Sequence, residues 1–261
     1  MIRARQMLAL GRHLSRTLRA VPGWLRRSRE YTNFSYDYSP AGMSAAVEVA
    51  ALVAGEDVQR LSAYAQEVTG DEALGAQVRA RVLQASPPVG MDPVPLYGRR
   101  LVVYMLTRAL KPRVVVEAGV ADGLGTWLIA AALRRNAREG FPGLLHAVDH
   151  AEDAGRLLPP EFSDIVRLHR GDTVAFVAEL DQVIDLFIHE TIPLPAHESR
   201  QFSILEGRLS PNGVVFSAWL TEAFATFARQ SDRRLLPLPE QPRDHWYPGA
   251  TLAMAYPRRR P

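Results

Sequence analysis

The fold is decided by the stretch Val114-Val115-Val116-Glu117-Ala118-Gly119-Val120-Ala121-Asp122-Gly123-Leu124-Gly125-Thr126. Its three β-branched residues predict a buried strand, and an acidic residue follows at the end of that strand. The glycines at 119, 123 and 125 predict a turn that opens into a helical run from Trp127 to Arg135. Because glycine has no Cβ and adopts positive φ, such a turn lets the backbone approach a ligand closely.

The glycine spacing narrows the choice of ligand. A dinucleotide-binding fingerprint, G-x-G-x-x-G, starting at Gly119 would need glycines at positions 121 and 124, where Ala121 and Leu124 stand. Glu117 would also repel a pyrophosphate. A cofactor with a cationic amino-acid end and a ribose fits better. For the glycines alone, a tight connection without a ligand is the alternative interpretation.

Downstream of this stretch, strand and helix patterns alternate, which predicts an α/β fold with a parallel sheet and helices on both faces. A helix over residues 96–110 precedes the first strand. The predicted strands cover residues 114–117, 144–148, 165–168, 183–188 and 214–217, followed by a last pair at 235–238 and 251–256.

Polar residues follow the first four predicted strands at their carboxyl ends, where ligands bind in open α/β sheets. They are Glu117, Asp149, Gly171-Asp172 and His189-Glu190. Asp149 is placed to accept hydrogen bonds from both hydroxyls of a ribose. For Asp149 or Asp172 taken alone, a helix N-cap is the alternative.

The first-strand stretch resembles the first motif, E-x-G-x-x-x-G, of the class I S-adenosylmethionine-dependent methyltransferases. The resemblance covers about residues 95–256 and is closest to small-molecule methyltransferases, such as bacterial natural-product O-methyltransferases. It implies a Rossmann-like, mostly parallel sheet with an antiparallel last strand and an N-terminal helical cap. It also implies S-adenosyl-L-methionine as the cofactor. The cofactor-binding residues would then be Glu117, Gly119, Gly123, Asp149, Gly171 and Asp172.

The candidate catalytic residues are His189, Glu190 and His197. Methyl transfer from a sulfonium needs mainly alignment and exclusion of water, and a base only where the acceptor must lose a proton. His189 would take that proton while Glu190 orients the imidazole ring or the acceptor. We expect the acceptor to be a hydroxyl, or as second choice an amine, of a small molecule such as a secondary metabolite or sugar. A structural hydrogen-bonding role is the alternative for His189 and for His197.

Two further segments could contribute to this site. Magnesium-dependent methyltransferases of this fold pair an acid after strand four with acidic or amide residues after strand five. Here Ser217-Ala218-Trp219 follow strand five and cannot complete a hard-cation site, so no metal is predicted. The segment His245-Trp246-Tyr247 either covers the acceptor pocket or forms a packed aromatic corner. Tyr97 and Arg99 could reach the carboxylate of the cofactor.

The net charge of +3 conceals an asymmetry between the N-terminus and the rest of the 261 residues. Residues 1–30 contain eight arginines and one acidic residue, so the remaining chain is mildly acidic and no nucleic-acid partner is expected. The absence of cysteine excludes disulfides, thiolate metal sites and a cysteine nucleophile. No apolar run reaches the length of a membrane span and no signal-peptide pattern is present, so a cytoplasmic protein is expected.

We predict three regions along the chain. Residues 1–30 form a basic amphipathic leader helix with Pro22-Gly23 ending its helical pattern, residues 31–93 a helical cap and linker, and residues 94–261 the cofactor-binding domain. The leader helix is expected to dock on its own domain or on a second subunit, as in a homodimer, in preference to a membrane. Two rival functions stay open. They are a non-catalytic cofactor-binding partner subunit and a protein recruited to a membrane or a partner by the leader helix.

Overall fold

A seven-stranded sheet forms the centre of the computed structural model, which describes residues 21–258 apart from 31, 33, 34 and 87. The order across the sheet is β3-β2-β1-β4-β5-β7-β6, and β7 runs antiparallel to the other six strands. The predicted Rossmann-like sheet is therefore confirmed. The strands are β1 Val114–Ala118, β2 Leu144–Asp149, β3 Val166–Arg170, β4 Ile184–His189, β5 Leu209–Ser217, β6 Arg233–Pro239 and β7 Thr251–Pro257.

Helices cover both faces of this sheet. They are α1 Pro40–Ala54, α2 Val58–Thr69, α3 Glu72–Gln84, α4 Arg100–Leu110, α5 Leu124–Arg138, α6 Thr173–Glu179, α7 Pro195–Glu206 and α8 Glu222–Gln230. Helix α4 begins four residues later than predicted, because Gly98 has a φ of +50°, outside the right-handed helical region. Residues 21–27 are helical as well, so Pro22-Gly23 lies inside a helix instead of ending one. Residues 2–20 of the predicted leader helix lie outside the described residues.

The strands bury alternate side chains in two hydrophobic clusters, one on each face of the sheet. Val115 and Leu186 belong to the cluster that includes α4 and α5, whereas Val116 and Phe187 belong to the cluster formed with α6, α7 and α8. Burial on both faces explains why these strands are nearly continuous apolar runs in the sequence. Because β1 to β5 pair in parallel, their carboxyl ends all lie at the same edge of the sheet.

Helices α1 to α3 form the predicted helical cap, and each begins with a side-chain N-cap, from Ser39, Asp57 and Asp71 respectively. Their buried residues belong to the same cluster as α4 and α5. Nε of Arg81 on α3 donates to the carbonyl oxygen of Leu157 at 2.7 Å. The cap therefore shares a core with one face of the sheet, while the region boundaries at residues 30/31 and 93/94 stay predictions. No described helix is both long and apolar enough to cross a bilayer.

Candidate functional site

A cavity of about 650 Å³ opens at the carboxyl ends of the parallel strands. This edge is where open α/β sheets bind ligands, and the volume suits a small molecule or cofactor. Gly123 and His189 are not among the lining residues. The predicted site residues that line the cavity are Glu117, Gly119, Asp149, Gly171, Asp172, Glu190 and His197.

The turn after β1 depends on glycine at two places, but only one of them faces the cavity. Gly119 has a φ of +90°, and a Cβ there would lie 2.8 Å from the backbone carbonyl of Glu190. Gly123 has a φ of +92°, and a Cβ there would lie 2.7 Å from the Cα of Gly155. Contrary to the prediction, Gly123 therefore does not reach the cavity. It allows the start of α5 to pack against the segment that follows β2.

Glu117, at the end of β1, is buried with 2% of its surface exposed. Its Oε2 accepts a hydrogen bond of 2.5 Å from the hydroxyl of Thr126, and a Cβ on Gly125 would lie 2.8 Å from its Oε1. Burial raises the pKa of Glu117 to about 8, and the Thr126 hydrogen bond opposes this rise only in part. At pH 7 the carboxyl group is thus mostly neutral, and a cation placed beside it would ionise it.

Asp149, at the end of β2, is already committed to backbone hydrogen bonds. Its Oδ2 accepts from the N–H groups of Val120 and Ala121 at 2.8 and 3.0 Å, and its Oδ1 accepts from Ala151 at 2.9 Å. Burial opposes ionisation, but these three hydrogen bonds outweigh it and lower the pKa of Asp149. A carboxylate has about four acceptor positions. Asp149 therefore keeps one position for a ligand, fewer than the prediction of two ribose contacts requires, and mainly holds the glycine turn.

The residues after β3 combine a cavity wall with a helix cap. The N–H of Gly171 donates to the carbonyl oxygen of Asp149, and a Cβ on Gly171 would meet open space. The side chain of Asp172 accepts from the N–H of Ala175 and caps α6. The N-cap interpretation of Asp172 is therefore correct, and its position in the cavity wall is compatible with a second role.

His189, the last residue of β4, does not reach the cavity. It is fully buried against the ring of Phe202, with Nε2 lying 3.1 Å from Oε1 of Glu198 and Nδ1 lying 3.4 Å from Oγ1 of Thr191. Both ring nitrogens are thus engaged inside the protein. The structure supports the alternative interpretation, a structural hydrogen-bonding residue, and not a base that contacts an acceptor.

Glu190 and His197 both line the cavity, but at different ends. Oε2 of Glu190 lies 3.6 Å from Nε of Arg99. His197, near the start of α7, has Nε2 at 3.3 Å from Oγ1 of Thr173 and Nδ1 at 3.9 Å from Asp172. His197 therefore lies beside the end of β3, whereas Glu190 lies at the end of β4.

Two arginines at the start of α4 belong to the site: Arg99, which was predicted from the sequence, and Arg100, which was not. Arg99 and Arg100 line the cavity, although both are almost completely buried. Burial lowers the pKa of Arg100, whereas for Arg99 the neighbouring Glu190 and Glu240 outweigh burial and raise the pKa. Their only signal in the sequence is a charged pair at the start of an apolar helix. Tyr97, predicted together with Arg99, is buried and does not line the cavity.

The segment His245-Trp246-Tyr247 forms an aromatic corner and does not line the cavity. The ring of His245 packs against Trp24 and Tyr36, and its Nε2 lies 3.1 Å from Oε2 of Glu30. The packed-corner alternative is therefore the correct one. In residues 21–258, excluding the four undescribed positions, no three acidic or histidine side chains lie close enough together to form a metal site.

Comparisons with known proteins agree with this fold. Residues 116–217 match the model of a family described as a methyltransferase domain. A methyltransferase from Geobacter sulfurreducens is similar in structure, with 19% identity and a TM-score of 0.51 over 72% of this chain and 90% of that one. Precorrin-6y C5,15-methyltransferase from Geobacter metallireducens GS-15 has 11% identity and a TM-score of 0.50 over 63% and 90%. No curated protein matches the sequence.

Proposed function

Because the chain contains a methyltransferase domain of the class I fold, we propose that it transfers the methyl group of S-adenosyl-L-methionine to a hydroxyl group of a small molecule. One observation supports this most directly. The cavity at the carboxyl edge of the sheet is lined by the glycine turn, with the carboxyl groups of Glu117 and Asp149 at the ends of β1 and β2. These groups suit a cofactor that combines a cationic end with a ribose.

The cavity residues fit that cofactor in charge and in space. Glu117 can ionise beside the ammonium group of the methionine end, and Asp149 keeps one acceptor position for a ribose hydroxyl. The open space at Gly171 and the neighbouring Asp172 leave room for a planar ring, with His197 lying beside Asp172.

The cofactor supplies a methyl group on a sulfonium, so the protein mainly has to align the acceptor and exclude water. Glu190 replaces His189 as our candidate to accept the proton of the acceptor hydroxyl, because it lines the cavity at the end of β4. Trp219 offers the acceptor an apolar wall. An amine acceptor would need the same proton transfer and stays the second choice.

One observation favours a second candidate function, a domain that binds the cofactor without transferring its methyl group. His189 is buried, and Glu190 lies 3.6 Å from Arg99. Glu190, the candidate base in this cavity, therefore already lies within ion-pair distance of the Arg99 guanidinium. Such a domain would serve as the cofactor-binding subunit of an active partner.

The decisive experiment has two stages. Native mass spectrometry and calorimetry on the full-length protein should detect binding of S-adenosylmethionine or S-adenosylhomocysteine. A panel of small hydroxyl and amine compounds is then screened for formation of S-adenosylhomocysteine. Absence of cofactor binding would refute both functions, whereas binding without transfer to any compound would favour the non-catalytic subunit. Unchanged turnover in Glu190→Gln would exclude Glu190 as the base.

A further inference from the structure

Arg99 puts a positive charge in the cavity wall that the protein satisfies only in part. Its side chain is 3% exposed, yet Nε and Nη1 have no hydrogen-bond partner among the described residues. Buried donors without partners are unfavourable, and more so when they are charged. An anion that reached this guanidinium would supply the missing hydrogen bonds.

Two carboxylates stand near Arg99 but outside hydrogen-bond distance. Nε lies 3.6 Å from Oε2 of Glu190, and Nη1 lies 4.0 Å from Oε2 of Glu240. Glu240 is already used, because it accepts from the hydroxyl of Tyr36 and from the N–H of Ala250. Glu190 is 15% exposed and lines the cavity together with Arg99. Rotation of Glu190 toward an acceptor hydroxyl would open Arg99 to a second ligand group.

Arg99 faces the half of the cavity that lies beyond the proposed cofactor. Glu190 follows β4, and Trp219, whose ring centre lies 5.7 Å from the Arg99 guanidinium carbon, follows β5. Asp149 and Asp172 follow β2 and β3, which lie on the other side of β1 in the sheet. Arg99 is therefore next to the place where an acceptor would enter.

The adjacent Arg100 serves a different part of the cavity. A Cβ on Gly125 would lie 2.8 Å from Oε1 of Glu117 and 4.0 Å from Nε of Arg100. Arg100 thus lies beside the carboxyl group that we assign to the methionine end of the cofactor, and it suits the carboxylate at that end. Arg99 and Arg100 therefore lie beside different carboxyl groups of the cavity, Arg99 beside Glu190 and Arg100 beside Glu117.

We propose that the methyl acceptor is a small molecule with an apolar body and a carboxylate, and that this carboxylate binds Arg99. A carboxylate matches the planar donors of a guanidinium, and Trp219 provides an aromatic wall for the body of the molecule. The mouth of the cavity continues this wall with Ile192 and Leu194, which line it and are 72% and 59% exposed. This inference rests on the proposed function and names its substrate class, compounds that join a carboxylate, an apolar ring and a hydroxyl.

The first test uses the unaltered full-length protein loaded with S-adenosylhomocysteine. Calorimetry compares 3-hydroxybenzoate and 4-hydroxybenzoate with the matching hydroxybenzamides, which have the same shape but no charge. We expect the acids to bind at least about ten-fold more tightly than the amides. Equal affinities, or no binding of the acids, would overturn the proposal.

The second test assigns the preference to Arg99. Arg99→Gln should abolish the preference for acids, Arg99→Lys should retain part of it, and Arg229→Gln, a change of an exposed arginine, should retain all of it. Arg99→Gln should leave the affinities for S-adenosylhomocysteine and 5′-methylthioadenosine unchanged. If it weakens binding of S-adenosylhomocysteine alone, Arg99 binds the cofactor carboxylate and the proposal is wrong. If the proposed function itself were wrong, the result would be different, because the unaltered protein would bind neither S-adenosylhomocysteine nor 5′-methylthioadenosine.

Discussion

Replacing Glu117 with glutamine should stabilise the protein at pH 8 and change its stability little near pH 4.5. Glutamine has nearly the same shape, and its carbonyl oxygen can still accept the hydrogen bond that Thr126 donates to Glu117. The substitution therefore removes a titratable proton from a buried site and leaves the packing almost unchanged. The change in the free energy of unfolding therefore measures how much the folded protein is destabilised when this side chain is ionised.

The sign and size follow from the pKa of Glu117, about 8 in the folded protein against an ordinary value of 4.5. Between these two values the unfolded chain has lost the proton that the folded chain still holds. The free energy of unfolding of the natural protein therefore falls by about 1.4 kcal/mol per pH unit across this window and levels off above pH 8. The accumulated difference between the two proteins at pH 8 is on the order of 5 kcal/mol.

The assay is urea unfolding of both proteins at several pH values between 4.5 and 9. The difference in unfolding free energy should grow with pH through the window and then become constant. Glu222→Gln provides the matched control, because Glu222 is 86% exposed and should add no such slope. A difference that does not depend on pH, or a less stable Glu117→Gln variant at pH 8, would refute the buried neutral carboxyl group.

Four further predictions concern the turn, the cofactor and the buried histidine. Gly119→Ala should lower the free energy of unfolding in urea by about 1–3 kcal/mol or more. The loss should exceed that of Gly140→Ala, because Gly140 also has a positive φ, +91°, but open space around its Cβ position. Equal losses would contradict the close approach at Gly119. Asp149→Ala should weaken S-adenosylhomocysteine binding by about 1–3 kcal/mol in calorimetry, because three N–H groups of the turn region lose their acceptor, and an unchanged affinity would remove Asp149 from the site. Binding of S-adenosylmethionine at pH 7 should release a proton, seen as a binding heat that depends on the buffer, and Glu117→Gln should abolish that dependence; a buffer-independent heat in the natural protein would count against Glu117. His189→Gln should lower the melting temperature without changing the pH dependence of turnover, and an altered pH profile would restore His189 as a base.

The sheet and its binding edge could be predicted because their signals are local. Val114, Val115 and Val116 are buried or half-buried in β1, and strands buried on both faces appear in the sequence as short apolar runs. The polar residue that follows each run then lies at the shared carboxyl edge by the geometry of parallel strands. Glu117 and Gly119 were therefore found without knowledge of any long-range contact.

The roles of individual side chains at that edge were harder to predict. His189 ends a strand just as Asp149 does, yet it turns toward Phe202 and Glu198 on α7, and no local pattern distinguishes the two cases. Asp149 is found where expected, but the backbone of the glycine turn uses most of its acceptor positions. Which neighbour a polar atom meets depends on how distant segments pack.

The sequence by itself determined the parallel sheet, the glycine turn after residue 118 and the acidic residue buried beneath that turn, because these depend on spacing along a single strand and turn. Only the tertiary structure decided that His189 is enclosed, that Gly123 supports packing, and that Arg99 lies beside Glu190 and Glu240. The packing of Gly123 and the partners of Arg99 require segments far apart in the chain to meet, and the enclosure of His189 requires α7 to fold back on the strand before it. The contact of Arg99 with Glu190 joins a helix before the first strand to the end of the fourth. The energy of such contacts depends on burial, and burial is a property of the assembled core.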